Sequence, residues 1–248
     1  MKTIILAGGT GSRLGLITKA VNKQLLPIGN KPIICHVIDL ASKVSEDVLI
    51  ICNPEDMSSF AKFTEDYNNV NIFFRNQNHP DGIASAISLG ESFCEDDQVL
   101  VLLGDNIFSK SNYDHIVQTV NTASKSQFKG SHVWTIEHES PHNYGVLVTN
   151  GLSIEKVIEK PKPSQKAGNQ VVVGCYLFDS QIWNLLPHLK KSARGEYEIA
   201  DLLNMYADDD LLTYSELHAG GWYDIGASAN SYNDIASLFH MKEANEPK

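Results

Sequence analysis

The chain has 248 residues, 42% of them hydrophobic, and a formal net charge of −10 from 30 acidic and 20 basic side chains. That length and apolar share suffice for an α/β domain with a sizeable core. The acidity argues against the broad basic face that nucleic acids require, but not against a small anionic ligand, which feels only the local field. No window approaches the roughly 20 apolar residues of a membrane span, and residues 4–7 are too short a run for the core of a secretory leader. Cys35, Cys52, Cys94 and Cys175 are widely spaced in apolar contexts and read as small buried hydrophobes, not as a disulfide frame or metal site. A cytoplasmic address is expected.

In chain order, "KTIILAG" reads as a buried strand that meets a glycine-rich loop. Ile33, Ile34, Val37, Ile38, Ala41 and Val44 then recur at helical spacing, with Asn30 and Pro32 as start signals. "DVLIIC" is the next strand, Pro54 to Tyr67 the next helix, "NIFF" a third strand, "DGIASAISLGESF" a third helix and "QVLVLLGD" a fourth strand. Strands that are apolar throughout and alternate with helices predict a parallel sheet covered on both faces.

The second half is strand-rich, in "GSHVWTIE", "YGVLVTNGLSIEKVIEKP" and "VVVGCYLFD", with Asn150-Gly151 as a two-residue hairpin signal. Helices are expected near Ser180–Leu189, Glu198–Met205 and Ser228–His240, with the strand "LLTYSEL" and the segment "GGWYDIG" between the last two. No repeat, linker or low-complexity segment interrupts the chain, so one domain over residues 1–240 is expected, followed by a polar tail, 241–248.

Ligands of an open parallel sheet bind at the carboxyl ends of its strands. Two such ends carry polar punctuation here, "AGGTGSRL" after the first strand and "LGDN" after the fourth. The glycine loop matches neither GxGxxG nor GxxxxGK[ST], so the dinucleotide and P-loop readings lack their mechanical parts. Gly8, Gly9 and Gly11 still let backbone N–H groups approach phosphate oxygens, Ser12 and Arg13 add donors, and Lys23 adds a point charge.

Asp105, taken alone, reads equally as a turn cap. A carboxylate beside a phosphate site repels its ligand unless a divalent cation bridges them, and Asp224, between glycines, is the obvious second ligand. In "IEKP", the prolines that follow fix Glu159 and Lys160, which suit a sugar hydroxyl and a second phosphate. The nine histidines show no HExxH spacing, and no nucleophile and base pair stands out.

"ILAGGTGSRL" followed by "NKQLLPIGNKPII" resembles the signature of the sugar-1-phosphate nucleotidyltransferases. The likeness continues in order through "PDGIASAISLGESF", "LGDNIF", "YGVL", "IEKP", "VVVGCYLFD", "RGEYEIADLLNMY" and "WYDIGA", from Met1 to about Phe239. The resemblance implies a Rossmann-like nucleotidyltransferase fold: a mixed, mostly parallel sheet flanked by helices, with a strand-rich sugar-binding lobe. It implies nucleotidyl transfer from a nucleoside triphosphate to a sugar 1-phosphate with release of pyrophosphate, dependent on Mg²⁺, with dTTP and glucose 1-phosphate as the leading substrates.

By the same resemblance, Gly8, Gly9, Gly11, Ser12 and Arg13 hold the triphosphate, Lys23 and Gln24 sit at the nucleotide, and Gly82 lies against the base. Asp105 and Asp224 bind Mg²⁺, and Tyr144, Gly145, Glu159, Lys160 and Val173 form the sugar-phosphate site. Arg13, Lys23, Asp105 and Lys160 carry catalysis. Thymidylyl-transferring members resemble "DGLAQA" where this chain has "DGIASA", so Ser85 replaces a glutamine read as the base contact, leaving dTTP and UTP both open. No nucleic-acid or membrane partner is expected, and a homo-oligomer is compatible with the resemblance. Longer members carry a C-terminal helical extension tied to allosteric nucleotide binding and tetramer contacts. The matched region stops short of it, which leaves regulation and assembly open.

Overall fold

The computed structural model describes residues 1–245 except Thr10, Gln127 and Leu152. Strand β1 (Lys2–Ala7) leads through a 3-10 turn (Ser12–Leu14), α1 (Ile17–Ala20) and a second 3-10 turn (Lys23–Leu25) to a small ribbon, β2 (Pro27–Ile28) and β3 (Lys31–Pro32). Then come α2 (Ile33–Ala41), β4 (Asp47–Cys52), α3 (Met57–Thr64), β5 (Asn71–Asn76), α4 (Ile83–Ser88), α5 (Glu91–Cys94), β6 (Val99–Leu103), β7 (Asn106–Phe108) and α6 (Lys110–Lys125). The second half holds β8 (Ser131–Glu137), β9 (Gly145–Asn150), β10 (Ser153–Glu159), β11 (Gln170–Phe178), α7 (Ile182–Leu185), α8 (Ile199–Asp208), β12 (Leu212–Glu216), β13 (Trp222–Asp224) and α9 (Ala229–Asn245).

The main sheet is mixed and mostly parallel, as expected. β6, β1, β4 and β5 pair in parallel, in that order. β11 runs antiparallel between β6 and β8, and β12 joins β8 in parallel. The β9–β10 hairpin branches from the first half of β11 through Val171 and Val146.

Alternation explains why these strands are apolar throughout. Ile5, Ala7, Ile50, Cys52, Leu100 and Leu102 enter one core, while Ile4, Leu6, Leu49, Ile51, Val99 and Val101 enter the other. A third, smaller core seats α9 through Ile235, Ala236 and Phe239 against Leu14, Leu26, Ile28, Ile33, Ile107 and Ile225. Among the described residues, no helix is long and apolar enough to cross a membrane.

Several boundaries differ from the sequence reading. The expected helix over residues 81–93 breaks at Gly90, whose missing Cβ would sit 2.3 Å from Ile4 Cδ1. The helix expected over residues 180–189 is α-helical only to Leu185 and then tightens into a 3-10 turn at Pro187, which lacks an N–H. Asn150 pairs with Ser153, so the hairpin turn starts at Gly151, one position later than expected. Helix α9 runs to Asn245, so the backbone of residues 241–245 is helical; residues 246–248 lie outside the described residues. Sequence reasoning also passed over α6, whose Asn112, Ile116 and Val120 are buried at i, i+4 spacing, and the β7–β13 ribbon.

Candidate active site

The chain places β4 and β5 on one side of β1 and then returns to place β6 on the other. This switch in direction opens a crevice at the carboxyl ends of β1 and β6. A cavity of about 550 Å³ lies there, within the usual size range of ligand pockets.

The loop after β1 forms one wall through Gly8, Gly9, Gly11, Ser12 and Arg13. Gly11 has φ 63°, and a Cβ there would lie 2.8 Å from Thr18 Cγ2, while the Thr18 hydroxyl donates to the Gly11 carbonyl at 2.9 Å. Asn22 caps the next turn: its carbonyl oxygen accepts from Gln24 N at 2.9 Å, and its amide donates to Asp56 at 2.6 Å. That cap points Lys23 and Gln24 into the cavity wall. Gln24 is 2% exposed, and its Oε1 has no protein partner, which leaves an acceptor for a ligand hydroxyl.

Asp105 follows β6, and Asp224 ends β13. The β7–β13 ribbon pairs Asn106 with Asp224, and Ile225 N donates to the Asp105 carbonyl at 3.1 Å, so residues remote in sequence lie side by side. The Lys23 ammonium donates to Asp105 Oδ2 in a short ion pair. Burial favours a neutral Asp105, but the Lys23 charge and hydrogen bonds from Lys23 and Asn106 outweigh it and hold the carboxyl below its ordinary value. Asp224 is pushed the other way, to about 6, by burial first and the Asp105 charge second.

These groups converge on Gly226. A Cβ built there would meet Asp105 Oδ2 at 2.6 Å, Lys23 Nζ at 2.8 Å and Asp224 Oδ1 at 3.4 Å. Two carboxylate oxygens beside the glycine loop are a donor set of the type that suits a hard divalent cation completing its shell with water and phosphate, the Lys23 ammonium being paired with one of them here. No cluster of three or more His, Cys, Asp or Glu side chains suited to a metal occurs among the described residues.

The opposite wall comes from the hairpin. Gly145 opens β9 directly across from Glu159, which ends β10. Lys160 follows with φ 42°, and its N–H donates to the Tyr144 carbonyl at 2.9 Å. A non-glycine residue in that region, immediately before a proline, is held there by its surroundings. Lys160 Nζ and Arg194 lie 3.7 and 3.6 Å from Glu159 Oε1. Burial pushes the Glu159 carboxyl up, with Lys160 and Arg194 opposing. Tyr144 packs edge-to-face on Trp222, with ring centroids 5.1 Å apart, and burial together with Asp224 raises its phenol.

The cavity therefore gathers Gly8, Gly9, Gly11, Ser12, Arg13, Lys23, Gln24, Gly82, Asp105, Tyr144, Gly145, Glu159, Lys160 and Asp224. Two expected contacts differ. Strand alternation sends the Val173 side chain into the core beneath the sheet, and Val172 and Gly174 line the cavity in its place. On α4 the cavity meets Gly82, Ile83 and Ala86, and Ser85, between them on the helical turn, does not line it. Gln77 does, at the end of β5, with its Oε1 2.2 Å from where a Gly8 Cβ would stand. Sequence reasoning missed Gln77, although its place at the carboxyl end of a parallel strand was a usable signal. Trp222 and Asn106 line the cavity as well, and Arg194 stands behind Glu159, each placed by contacts between distant segments that leave no local signal.

Comparison with known proteins bears on the same site. The chain matches the model of the nucleotidyl transferase family over residues 2–241. It is 37% identical over 246 residues to a glucose-1-phosphate thymidylyltransferase of Neisseria meningitidis, covering 96% of this chain and 82% of the relative. The Mycobacterium tuberculosis protein of the same name is 33% identical over 247 residues, covering 98% and 83%. Among solved structures, a Bacillus anthracis protein described under that name and crystallised with sucrose superposes with a TM-score of 0.85 at 36% identity, covering 100% of this chain and 98% of its own. A UDP-glucose pyrophosphorylase complexed with UDP-glucose shares the fold, with a TM-score of 0.85 at 23% identity over 97% and 98% of the two chains. The matched region takes in the glycine loop, both carboxylates and the hairpin wall, and the chain belongs to the nucleotidyl transferase family.

Proposed function

We propose that this protein is a sugar-phosphate nucleotidyltransferase, acting within a domain over residues 1–240, that joins dTTP and glucose 1-phosphate to give a nucleoside diphosphate sugar and pyrophosphate. The observation that carries this reading is a single cavity with a cationic glycine loop at one end, two carboxylates between, and Glu159 with Lys160 at the other. It suits two phosphorylated ligands meeting head to head. A phosphate oxygen of the sugar phosphate attacks the α-phosphorus in line and displaces pyrophosphate, so no protein nucleophile is needed.

Catalysis is then positioning and charge neutralisation. Arg13 and Lys23 hold the triphosphate against backbone N–H groups of Gly8, Gly9, Gly11 and Ser12. Lys160 holds the sugar phosphate, Gly145 and Glu159 take sugar hydroxyls, and the unpartnered Gln24 oxygen accepts a hydroxyl hydrogen of the nucleotide. Asp105 and Asp224 would hold Mg²⁺, which would supply neutralisation of phosphate charge. Gln77 and the backbone at Gly82 read the base, in place of Ser85.

Pyrophosphate release from dTTP, UTP, CTP, ATP and GTP with glucose 1-phosphate tests the reading. dTTP is expected to turn over fastest; no release with any nucleotide removes the enzymatic reading. Gln77→Ala should erode the preference for dTTP about tenfold, because a paired amide is worth about 1–1.5 kcal/mol of net hydrogen bonding. The same change at Ser85 should alter it less than about twofold. Equal effects at the two positions exclude Gln77 as the reader.

The raised Asp224 carboxyl sets a pH dependence. As pH falls through about 6, Asp224 takes up a proton while Asp105 stays ionised. The Mg²⁺ concentration for half-maximal rate should therefore climb as the solution is acidified, by at most about tenfold per pH unit. Stability of the metal-free protein moves oppositely. A carboxyl raised by folding contributes stability below its unfolded value and loses it as pH rises through about 6. A flat Mg²⁺ requirement from about pH 7 to about pH 5 removes Asp224 as the titrating ligand.

A further inference from the structure

We infer that Asn106 is a positioning residue that aims the Asp105 carboxylate into the cation cradle, and that Trp222 locks it in that orientation. The inference rests on Asp105 and Asp224 being the cation ligands.

Asn106 is 5% exposed and spends its amide on three segments. Its Oδ1 accepts from Gly174 N at 3.0 Å on β11 and from Trp222 Nε1 at 2.6 Å on β13. A backbone N–H and an indole N–H can only donate, so the atom facing them is the amide oxygen. The amide NH₂ is thereby turned toward Asp105 and donates to its Oδ1 at 3.0 Å.

This determines which carboxylate oxygen faces the cavity. With Oδ1 held by Asn106, Oδ2 is the atom that meets Lys23 and faces the Cα of Gly226, where side-chain atoms of Asp105, Lys23 and Asp224 converge. Asn106 also pairs with Asp224 across the β7–β13 ribbon, and Trp222 stands two residues before Asp224 on the same strand. One side chain thus ties the orientation of the first ligand to the strand that carries the second. Gly174 is part of the device, since a Cβ there would stand 2.7 Å from Asn106 Oδ1. Hydrogen-bond partners of this kind typically contribute about 10- to 100-fold to metal affinity.

The test uses Mn²⁺ alone, titrated into the purified protein and followed by loss of the free-ion electron paramagnetic resonance signal. Site-specific binding is the part that Asp105→Asn abolishes. Asn106→Ala should weaken that part at least about tenfold and raise the Mg²⁺ activation constant by a similar factor, with the KM for glucose 1-phosphate changed less than about twofold. Trp222→Phe keeps an aromatic side chain and removes the indole donor. It should weaken the same binding about threefold, because the amide loses one of its two locks.

Unchanged Mn²⁺ binding in Asn106→Ala overturns the inference, as does a raised sugar-phosphate KM with unaltered metal constants, which makes Asn106 a direct substrate contact. If Asn106→Ala does not fold, Trp222→Phe decides: unchanged Mn²⁺ binding there overturns the inference. Wild-type protein with no Mn²⁺ binding sensitive to Asp105→Asn overturns the cation reading beneath it, a distinguishable result.

Discussion

Asp105→Asn is expected to lower kcat/KM about 10³-fold while leaving a folded protein. The substitution keeps the shape of the side chain and removes the charge proposed to hold the cation, and the hydrogen bond offered by the Asn106 amide to Oδ1 survives. The Lys23 ammonium, 15% exposed, loses its carboxylate partner, so stability should fall by about 1–3 kcal/mol, since Lys23 can relax toward the cavity. For a chain of this size that is a drop of several degrees in melting temperature. Pyrophosphate release measures the first effect and thermal melting by circular dichroism the second. Near-wild-type turnover in a folded variant removes Asp105 from the machinery.

Arg13→Ala should cost about 10²- to 10³-fold in kcat/KM, with stability within about 0.5 kcal/mol of wild type. Arg13 is exposed in the 3-10 turn after the glycine loop, where it lines the cavity and packs no core. Its guanidinium is well suited to phosphate oxygens, which it can hold with two parallel bonds. Arg13→Lys retains the charge without that fork and should recover only part of the loss. Full recovery by lysine makes Arg13 a screening charge, and an unchanged rate in the alanine variant excludes it from triphosphate binding.

Much of the fold was legible from local pattern. Fully apolar strands ending in glycine or aspartate predicted a parallel sheet with its site at the carboxyl ends, and β1, β4, β5 and β6 form that sheet. The glycine loop and the pair Glu159-Lys160 were legible as candidates because each is a short local segment, and both line the cavity. Ser85 and Val173 were misplaced for the complementary reason. Motif position names a residue, but the helical turn and strand alternation decide which neighbour faces the cavity: Gly82, Ile83 and Ala86 around Ser85, and Val172 and Gly174 around Val173. Gln77, eight positions before Ser85, meets Gly8 only because β5 ends beside β1's loop once β4 lies between the two strands.

The amino-acid order by itself determined the strand and helix alphabet, the bare backbone of the glycine loop and the kinds of charge available. All of these follow from side-chain periodicity and from the absence of Cβ atoms, and both are local. The sequence named Asp105 and Asp224 as a pair, and tertiary structure alone decided that they stand side by side. Asp105 and Asp224 stand 119 positions apart, and it is the β7–β13 ribbon, the Asn106 amide and the lack of a side chain at Gly226 that bring the two carboxylates together. Hydrogen bonds between distant segments leave no periodic trace in a sequence, and here those bonds set the geometry of the chemistry.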